Sequence, residues 1–319
     1  MNKLPILLSG LLASTATAFA FSAPSHEAIA QAAIKLLNGT PAGAKVQAIL
    51  AGESPENAAI WLDQVRESFQ FPTPAQNADA TQFRHAMPGH QSWHFCNFTV
   101  GSTNYSFSSK YAATNDVVHA LELAIGVLEG APSPMTKQQA LRTVIHLVGD
   151  IHQPLHCITG YFDLSNPARP ILLKDVADPD KAVEDRGGNQ LYFTASQEFH
   201  ALWDRDLPEL IGKDVPSIAA AALAGAGSVR PTKGGYHHWP EIWGGETMRV
   251  ANQAYSGITF NSSAYVPNPR NPGKEMLKIG VSLPGGTKGY GAKEKGPMLI
   301  QLTRASAHLA QLLGVIKYK

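Results

Sequence analysis

The sequence predicts a mainly α protein, a multi-helix bundle in one domain with long loops and minor β structure. Three observations predict it. Apolar residues recur at helical spacing along most of the chain. Only the short run Gln190–Thr194 reads as a strand. No internal repeat, low-complexity tract or compositional break divides the 319 residues, and 44% hydrophobic against 16% charged residues suffice for a large buried core.

Taken in order, residues Met1–Ala20 read as a secretory signal peptide: Lys3, an apolar run from Leu4 to Leu12, then small residues ending Ala18-Phe19-Ala20. That run is too short to span a membrane, and no later stretch is an anchor. Cleavage after Ala20 leaves a soluble protein, secreted or periplasmic, whose domain is residues 21–319 and whose first residue, Phe21, carries a free α-amine. Ser25 is the expected N-cap of a helix through Leu37, ended by Asn38-Gly39. Thr40–Leu50 and Pro55–Phe69 follow as helices, the second carrying Trp61, Asp63 and Arg66. Residues 72–91 read as polar and irregular. Tyr111–Glu129 and Thr136–Ile151 are strongly helical. Asp163–Arg186, rich in Pro, Asp and Lys, reads as a surface loop or extended hairpin. Gly187-Gly188-Asn189 is a turn, and Phe199–Asp204 begins a helix with His200 and Asp204. Ser217–Ala226, Glu241–Tyr255 and Leu299–Leu313 complete the helices. Asn261–Pro297 is a second long insertion, and either insertion is a lid over a cleft or surface decoration, decoration being the expected reading.

The chemistry concentrates in His146–His156. His146 and Asp150 are four apart, so a helix points both to one face, and an imidazole with a carboxylate there makes a divalent-metal half-site. Pro154 stops or kinks the helix. His156 then leaves in a new direction. His200 and Asp204 repeat the same spacing on a second helix. With His26, Asp63 and His94 these form a His/Asp set suited to Zn²⁺. Such a set is too large for one tetrahedral ion and right for three if one carboxylate bridges.

This pattern resembles the S1/P1 nucleases and the related zinc-dependent phospholipases C. The resemblance runs from Phe21 to the last helix. It rests on His26 after the mature first residue, Trp-x-Asp-x-x-Arg at Trp61–Arg66, Trp-His-Phe at Trp93–Phe95, the His146–His156 motif, and Gly-Gly-Asn with His-x-x-x-Asp at Gly187–Asp204. It implies a single-domain bundle of the phospholipase C/P1 nuclease type and three zinc ions. Asp63, His94, His146 and Asp150 would hold one. The amine and carbonyl of Phe21, with His26 and a bridging Asp150, would hold the second. His156, His200 and Asp204 would hold the third. It implies an endonuclease for single-stranded RNA and DNA giving 5′-phosphorylated products, with 3′-nucleotidase activity, acting as a monomer without a stable protein partner. Asp63, Arg66 and Asp150 would be catalytic. Arg66 would neutralise a phosphate oxygen, or else serve as a surface salt-bridge partner. Phe95 would stack on a base, or else pack in the core. The fungal and plant members usually carry Asp, in contact with the base, where Asn97 stands, so Asn97 would bind substrate with an altered base preference; the family usually has Trp where Phe21 stands.

Two other functions stay open at this point. One is a phospholipase C on the same scaffold, against which the acid after His200 is Asp204 rather than Glu. The other is a non-catalytic metal-binding protein, against which the ligand sets leave open positions. A formal net charge of +1 excludes holding nucleic acid by a basic surface alone. Cys96 and Cys157 are too few for a disulfide scaffold and either pair or pack as small buried residues. His85 and His90 are expected in solvent, and His119 and His308 on helices, in the core or at the surface. His152 is expected to hydrogen-bond around the metal ligands, and His237-His238 has no assigned role.

Overall fold

The computed structural model describes residues 21–269 and 271–319, and the expected signal peptide lies outside the described residues. The chain opens with α1 (Ala23–Leu37), whose N-cap is Ser22, three residues before the expected Ser25, with Pro24 in its first turn. Three helices then begin in one way. Thr40, Ser54 and Thr73 each precede a proline, and each hydroxyl accepts the backbone N–H three residues on. Proline fits the first turn because its missing N–H would have no helical acceptor there. These caps start α2 (Pro41–Leu50), α3 (Pro55–Arg66) and α4 (Pro74–Ala86). Helix α4 occupies residues expected to be irregular. It buries only Ala80 and Phe83, too few for an apolar stripe, and Phe83 packs edge-on against Trp61 and Trp93.

After β1 (Phe98–Thr99), α5 runs from Val117 to Leu128. It starts later than Tyr111 because Asp116 accepts from the N–H groups of Val118 and His119, at 3.1 Å each. Helix α6 (Lys137–Asp150) is capped by Thr136 and Gln139 bonding each other's backbone N–H. Every residue from Gln139 to Asp150 is buried, since α6 packs against α3, α5, α2 and α1. Its polar residues are therefore paired: Arg142 meets Glu53 at 2.7 Å and Asp79 at 2.6 Å. As expected, the helix ends before Pro154, which begins the single turn α7 (Pro154–Cys157).

The strands are small. β2 (Ile158–Thr159) pairs parallel with β1. β3 (Tyr161–Asp163), β4 (Ile171–Leu173) and β5 (Val183–Glu184) make an antiparallel sheet in order β4-β3-β5, so the first insertion is a folded sheet. β6 (Leu191–Tyr192) precedes α8 (Phe199–Ala201), a π-helical turn (Leu202–Asp206) and α9 (Leu207–Glu209). Helices α10 (Val215–Ala226) and α11 (Trp239–Tyr255) follow. The second insertion is a hairpin, β7 (Thr259–Pro267) and β8 (Glu275–Ser282), whose β8 docks parallel on β6.

Helix α12 (Gly286–Val315) starts well before Leu299 and contains Pro297. Its glycines and proline argue against a helix by propensity. Packing overrides them: α12 lies against α1 and α10, and Tyr290, fully buried, accepts from Trp203 Nε1 and donates to the Ala254 carbonyl. No helix among the described residues is long and apolar enough to cross a membrane.

Candidate metal centre

The last turn of α6 is the floor of the centre. His146 Nε2 lies 3.0 Å from Asp150 Oδ2, as the spacing predicts. His146 Nδ1 donates to the Ala59 carbonyl of α3 at 2.6 Å, which leaves the Nε2 lone pair as the one that could ligate a cation. From α3 comes Asp63, its Oδ1 at 3.8 Å from His146 Nε2 and 3.6 Å from His94 Nδ1. His94 arrives on the segment before β1. Pairing of β1 with β2, extended by Cys96 N–H to the His156 carbonyl at 2.8 Å, ties that segment to the chain leaving α7. His94 Nδ1 sits 2.9 Å from Asp150 Oδ2.

Helix α1 adds His26, whose ring stacks on His146 at 4.0 Å between centroids, with Nε2 at 3.4 Å from Asp150 Oδ1. This approach needs Gly149, because a Cβ there would lie 2.6 Å from His26 Nδ1. Gly149→Ala is therefore expected to push His26 away and lower kcat/KM about a hundredfold, the scale of a misplacement of about 1 Å. Helical content should hold, and steady-state kinetics with circular dichroism checks both.

A second group forms around α8. His200 Nε2 lies 3.1 Å from Asp204 Oδ2, and His156 Nε2 lies 3.7 Å from Asp204 Oδ1. His200 Nδ1 donates to the Gly187 carbonyl at 2.7 Å, and Gln153 donates to Asp204 Oδ1 at 2.6 Å. Gly187 has φ +61°, and a Cβ on it would lie 2.2 Å from the Leu155 carbonyl oxygen, so the turn needs glycine. Buried Asp185 holds this turn by accepting from the N–H groups of Gly160 and Gly188 and from the Tyr255 hydroxyl. The Asp204 carbonyl accepts from Ser22 N–H at 3.1 Å, which brings Phe21 to the centre, fully buried and edge-on to His26.

These groups fit divalent metal. Zinc–nitrogen bonds of about 2.0–2.1 Å put tetrahedral neighbours roughly 3.3–3.4 Å apart. The separations here, 2.9 to 3.8 Å, bracket that edge. Both ring nitrogens of His26, Asp63 Oδ1, His94 Nε2, Asp150 Oδ1 and His156 Nδ1 are buried without a hydrogen-bond partner. Orphaned polar atoms are costly, and cations supply what they lack. His26, Asp63 and His146 form one cluster, His94, His146 and Asp150 another, with ligand atoms within 4.8 Å; they share His146. His156, His200 and Asp204 make the third. Asp150 turns Oδ2 to His94 and His146, and Oδ1 to His26 and His156. Each of its oxygens therefore faces two imidazoles.

The buried imidazoles and carboxylates perturb one another strongly. Burial, then the nearby Arg66 charge, lowers the His94 pKa to about 4. Burial opposes charge on His156 too, but Asp150 and Asp204 outweigh it and raise its pKa to about 10. Burial also opposes ionisation of Asp150, yet His146 and His156 hold its pKa well below the usual range.

A model of the S1/P1 Nuclease family matches residues 21–316. The chain belongs to the S1/P1 nuclease family. A search of curated protein sequences found no match. Membership in a metal-dependent nuclease family makes the chain a hydrolase whose substrates are nucleic acids, and its His/Asp clusters are groups that could hold metal ions.

In this S1/P1 nuclease the centre opens into a cleft of about 830 Å³ whose lining includes His94, His156 and His200. Arg66 lines it as well, 3.3 Å from Asp63 Oδ1 with its side chain 21% exposed. Phe95 and Asn97 are half-buried in its wall, so Phe95 is not a core residue. Several lining residues carry no sequence signal. Glu184 and Arg186 end the first insertion, and Met276 and Lys278 come from the hairpin of the second. Both insertions therefore wall the cleft, which corrects the expectation of decoration. Lys278 reaches over the Tyr192 ring at 4.1 Å and donates to the Ala195 carbonyl, clamping the hairpin to the cleft edge.

The remaining histidines and cysteines lie elsewhere. His152 donates to the Val148 carbonyl and accepts from His308, which corrects its expected role beside the ligands: it ties α6 to α12. His90 is buried and donates to the Met87 carbonyl, not solvated as expected. His237 pairs with Glu129 and His238 with Glu241. Cys96 and Cys157 are buried free thiols.

Proposed function

We propose that this S1/P1 nuclease is a zinc-dependent endonuclease that cleaves single-stranded RNA and DNA to 5′-phosphorylated products and also acts as a 3′-nucleotidase. The observation that carries this reading is the cluster of Asp63, His94, His146 and Asp150, which meets through His94 and Arg66 a cleft that Phe95 also lines. Three zinc ions are assigned to Asp63, His94, His146 and Asp150; to His26, Asp150 and the amine and carbonyl of Phe21; and to His156, His200 and Asp204. Bound zinc supplies concentrated positive charge, which acidifies water and offsets charge on phosphate oxygens.

The chain's own groups position the substrate. Arg66 is anchored by Asp63 and keeps N–H groups toward the cleft, where they donate to a phosphate oxygen. Phe95 offers a ring face on which a base stacks, and Asn97 meets the base edge. A duplex hides base faces, so the site favours single strands. Asp63 holds the Arg66 guanidinium and Asp150 holds the imidazoles on both of its sides, so both carboxylates keep the reacting geometry. The same reading has residues 1–20 removed on export and the mature enzyme act as a monomer, secreted or periplasmic.

The test uses mature protein starting at Phe21 and loaded with zinc. Metal content of about three zincs per chain is expected. Denatured DNA and RNA should be cut at least about tenfold faster than duplexes, with 5′-phosphate ends, a margin that stacking energy on one base supplies. Chelation should abolish cutting and lower the melting temperature, and added zinc should restore both. Release of phosphocholine from lipid with no acid-soluble nucleotides from denatured DNA would replace this reading by a phospholipase C.

A further inference from the structure

Beside Phe95 the cleft wall carries a carboxylate that no motif announces. Phe95 and Asn97 are two apart on an extended segment, half-buried, while His94, Cys96 and Phe98 are fully buried. Alternation therefore turns Phe95 and Asn97 to the same side. Pairing of β5 with β3, Glu184 opposite Tyr161, sets Glu184 in the same cleft. There Asn97 Nδ2 donates to Glu184 Oε2 at 3.4 Å. That bond uses one of the two N–H groups of the amide and turns its nitrogen toward Glu184. What the pair offers a ligand is the Asn97 carbonyl oxygen and the carboxylate, acceptors both.

We propose that Glu184, with Asn97, reads the base stacked on Phe95 and selects guanine. This deepens the nuclease reading and rests on Phe95 being its base platform. Guanine alone among the bases has two adjacent donors, N1–H and the 2-amino group, on its Watson–Crick edge. Adenine and cytosine place an acceptor ring nitrogen beside their amino group, which would face a lone pair of the acceptor pair. Uracil and thymine flank one N–H with two carbonyls. A single strand leaves this edge open to a side chain. A site that must give its hydrogen bonds to a ligand rejects analogues that leave its acceptors unpaired. Burial and the like charge of Asp185 raise the Glu184 pKa, with Arg186 and Thr159 offsetting only part of this. A carboxylate so placed gains from two further N–H donors.

The test measures dissociation constants of zinc-loaded mature protein for the 5′-monophosphates of guanosine, adenosine, cytidine and uridine by calorimetry. Guanosine monophosphate should bind about tenfold tighter than the others, the factor that one charge-assisted hydrogen bond supplies. Glu184→Gln should remove most of that preference and Asn97→Ala should narrow it. Phe95→Ala should weaken all four about equally. Equal binding of the four nucleotides, or a guanine preference that survives Glu184→Gln, overturns the proposal. Hydrolysis of RNA measured in parallel separates the two readings. Selective binding without hydrolysis fails the nuclease reading and keeps this one, and hydrolysis without base preference does the reverse.

Discussion

Asp150→Asn is expected to leave about one of three zincs in place and to reduce hydrolysis of denatured DNA by at least about a hundredfold, since loss of even an outer partner of a metal ligand costs roughly 10–100-fold. Asp150 is fully buried, and its two oxygens face different histidines, Oδ2 toward His94 and His146, Oδ1 toward His26 and His156. Asparagine keeps the shape but not the charge. Whichever way the amide turns, one side presents N–H groups, which repel a cation and cannot ligate it. The His156, His200 and Asp204 group keeps all its atoms and should retain its ion. His200→Ala is the complement, losing that ion and sparing the other two. Metal analysis and initial rates on both variants check the pattern. Full metal content in Asp150→Asn would remove the bridging role.

How much of this was legible in the sequence depends on how local each feature is. Helical spacing converts directly into distance, so His146/Asp150 and His200/Asp204 met as read, at 3.0 and 3.1 Å, the second across a π-helical turn. Tertiary partners were less visible. Helix α4 hid because only Ala80 and Phe83 face the core. The first half of α12 hid because Gly289, Gly291, Gly296 and Pro297 oppose helix by propensity, and only packing of residues such as Tyr290 reveals it. Glu184 and Lys278 reach the cleft through strand register, Tyr161 opposite Glu184 and Leu191 opposite Ile279. Register joins residues far apart in the chain, and a one-residue slip would turn each side chain to the other face. The motifs name candidate ligands because they follow chain order, whereas the cleft walls come together only through strand register.

One added residue at the mature amino terminus is expected to be damaging, though less so than losing Asp150. Ser22 N–H bonds to the Asp204 carbonyl, and Phe21 is fully buried against His26, so the backbone of residue 21 is fixed at the centre. A free amine at residue 21 is a neutral nitrogen ligand once deprotonated. An amide nitrogen in the same place has its lone pair delocalised into the carbonyl and is a poor ligand. Protein that keeps Ala20, or starts with an extra Met before Phe21, should therefore bind about one zinc fewer and cut denatured RNA at least about tenfold more slowly, the lower end of losses for disturbed metal sites. The packing of Phe21 should survive, so the fold and the His156, His200 and Asp204 ion should persist. Phe21→Trp, which changes the ring but keeps the amine, should retain the full metal content. Metal content and initial rates of the three proteins, each verified by intact mass, decide it. Equal zinc and equal rates with and without Ala20 would mean that His26 and Asp150 hold their ion without help from the chain terminus.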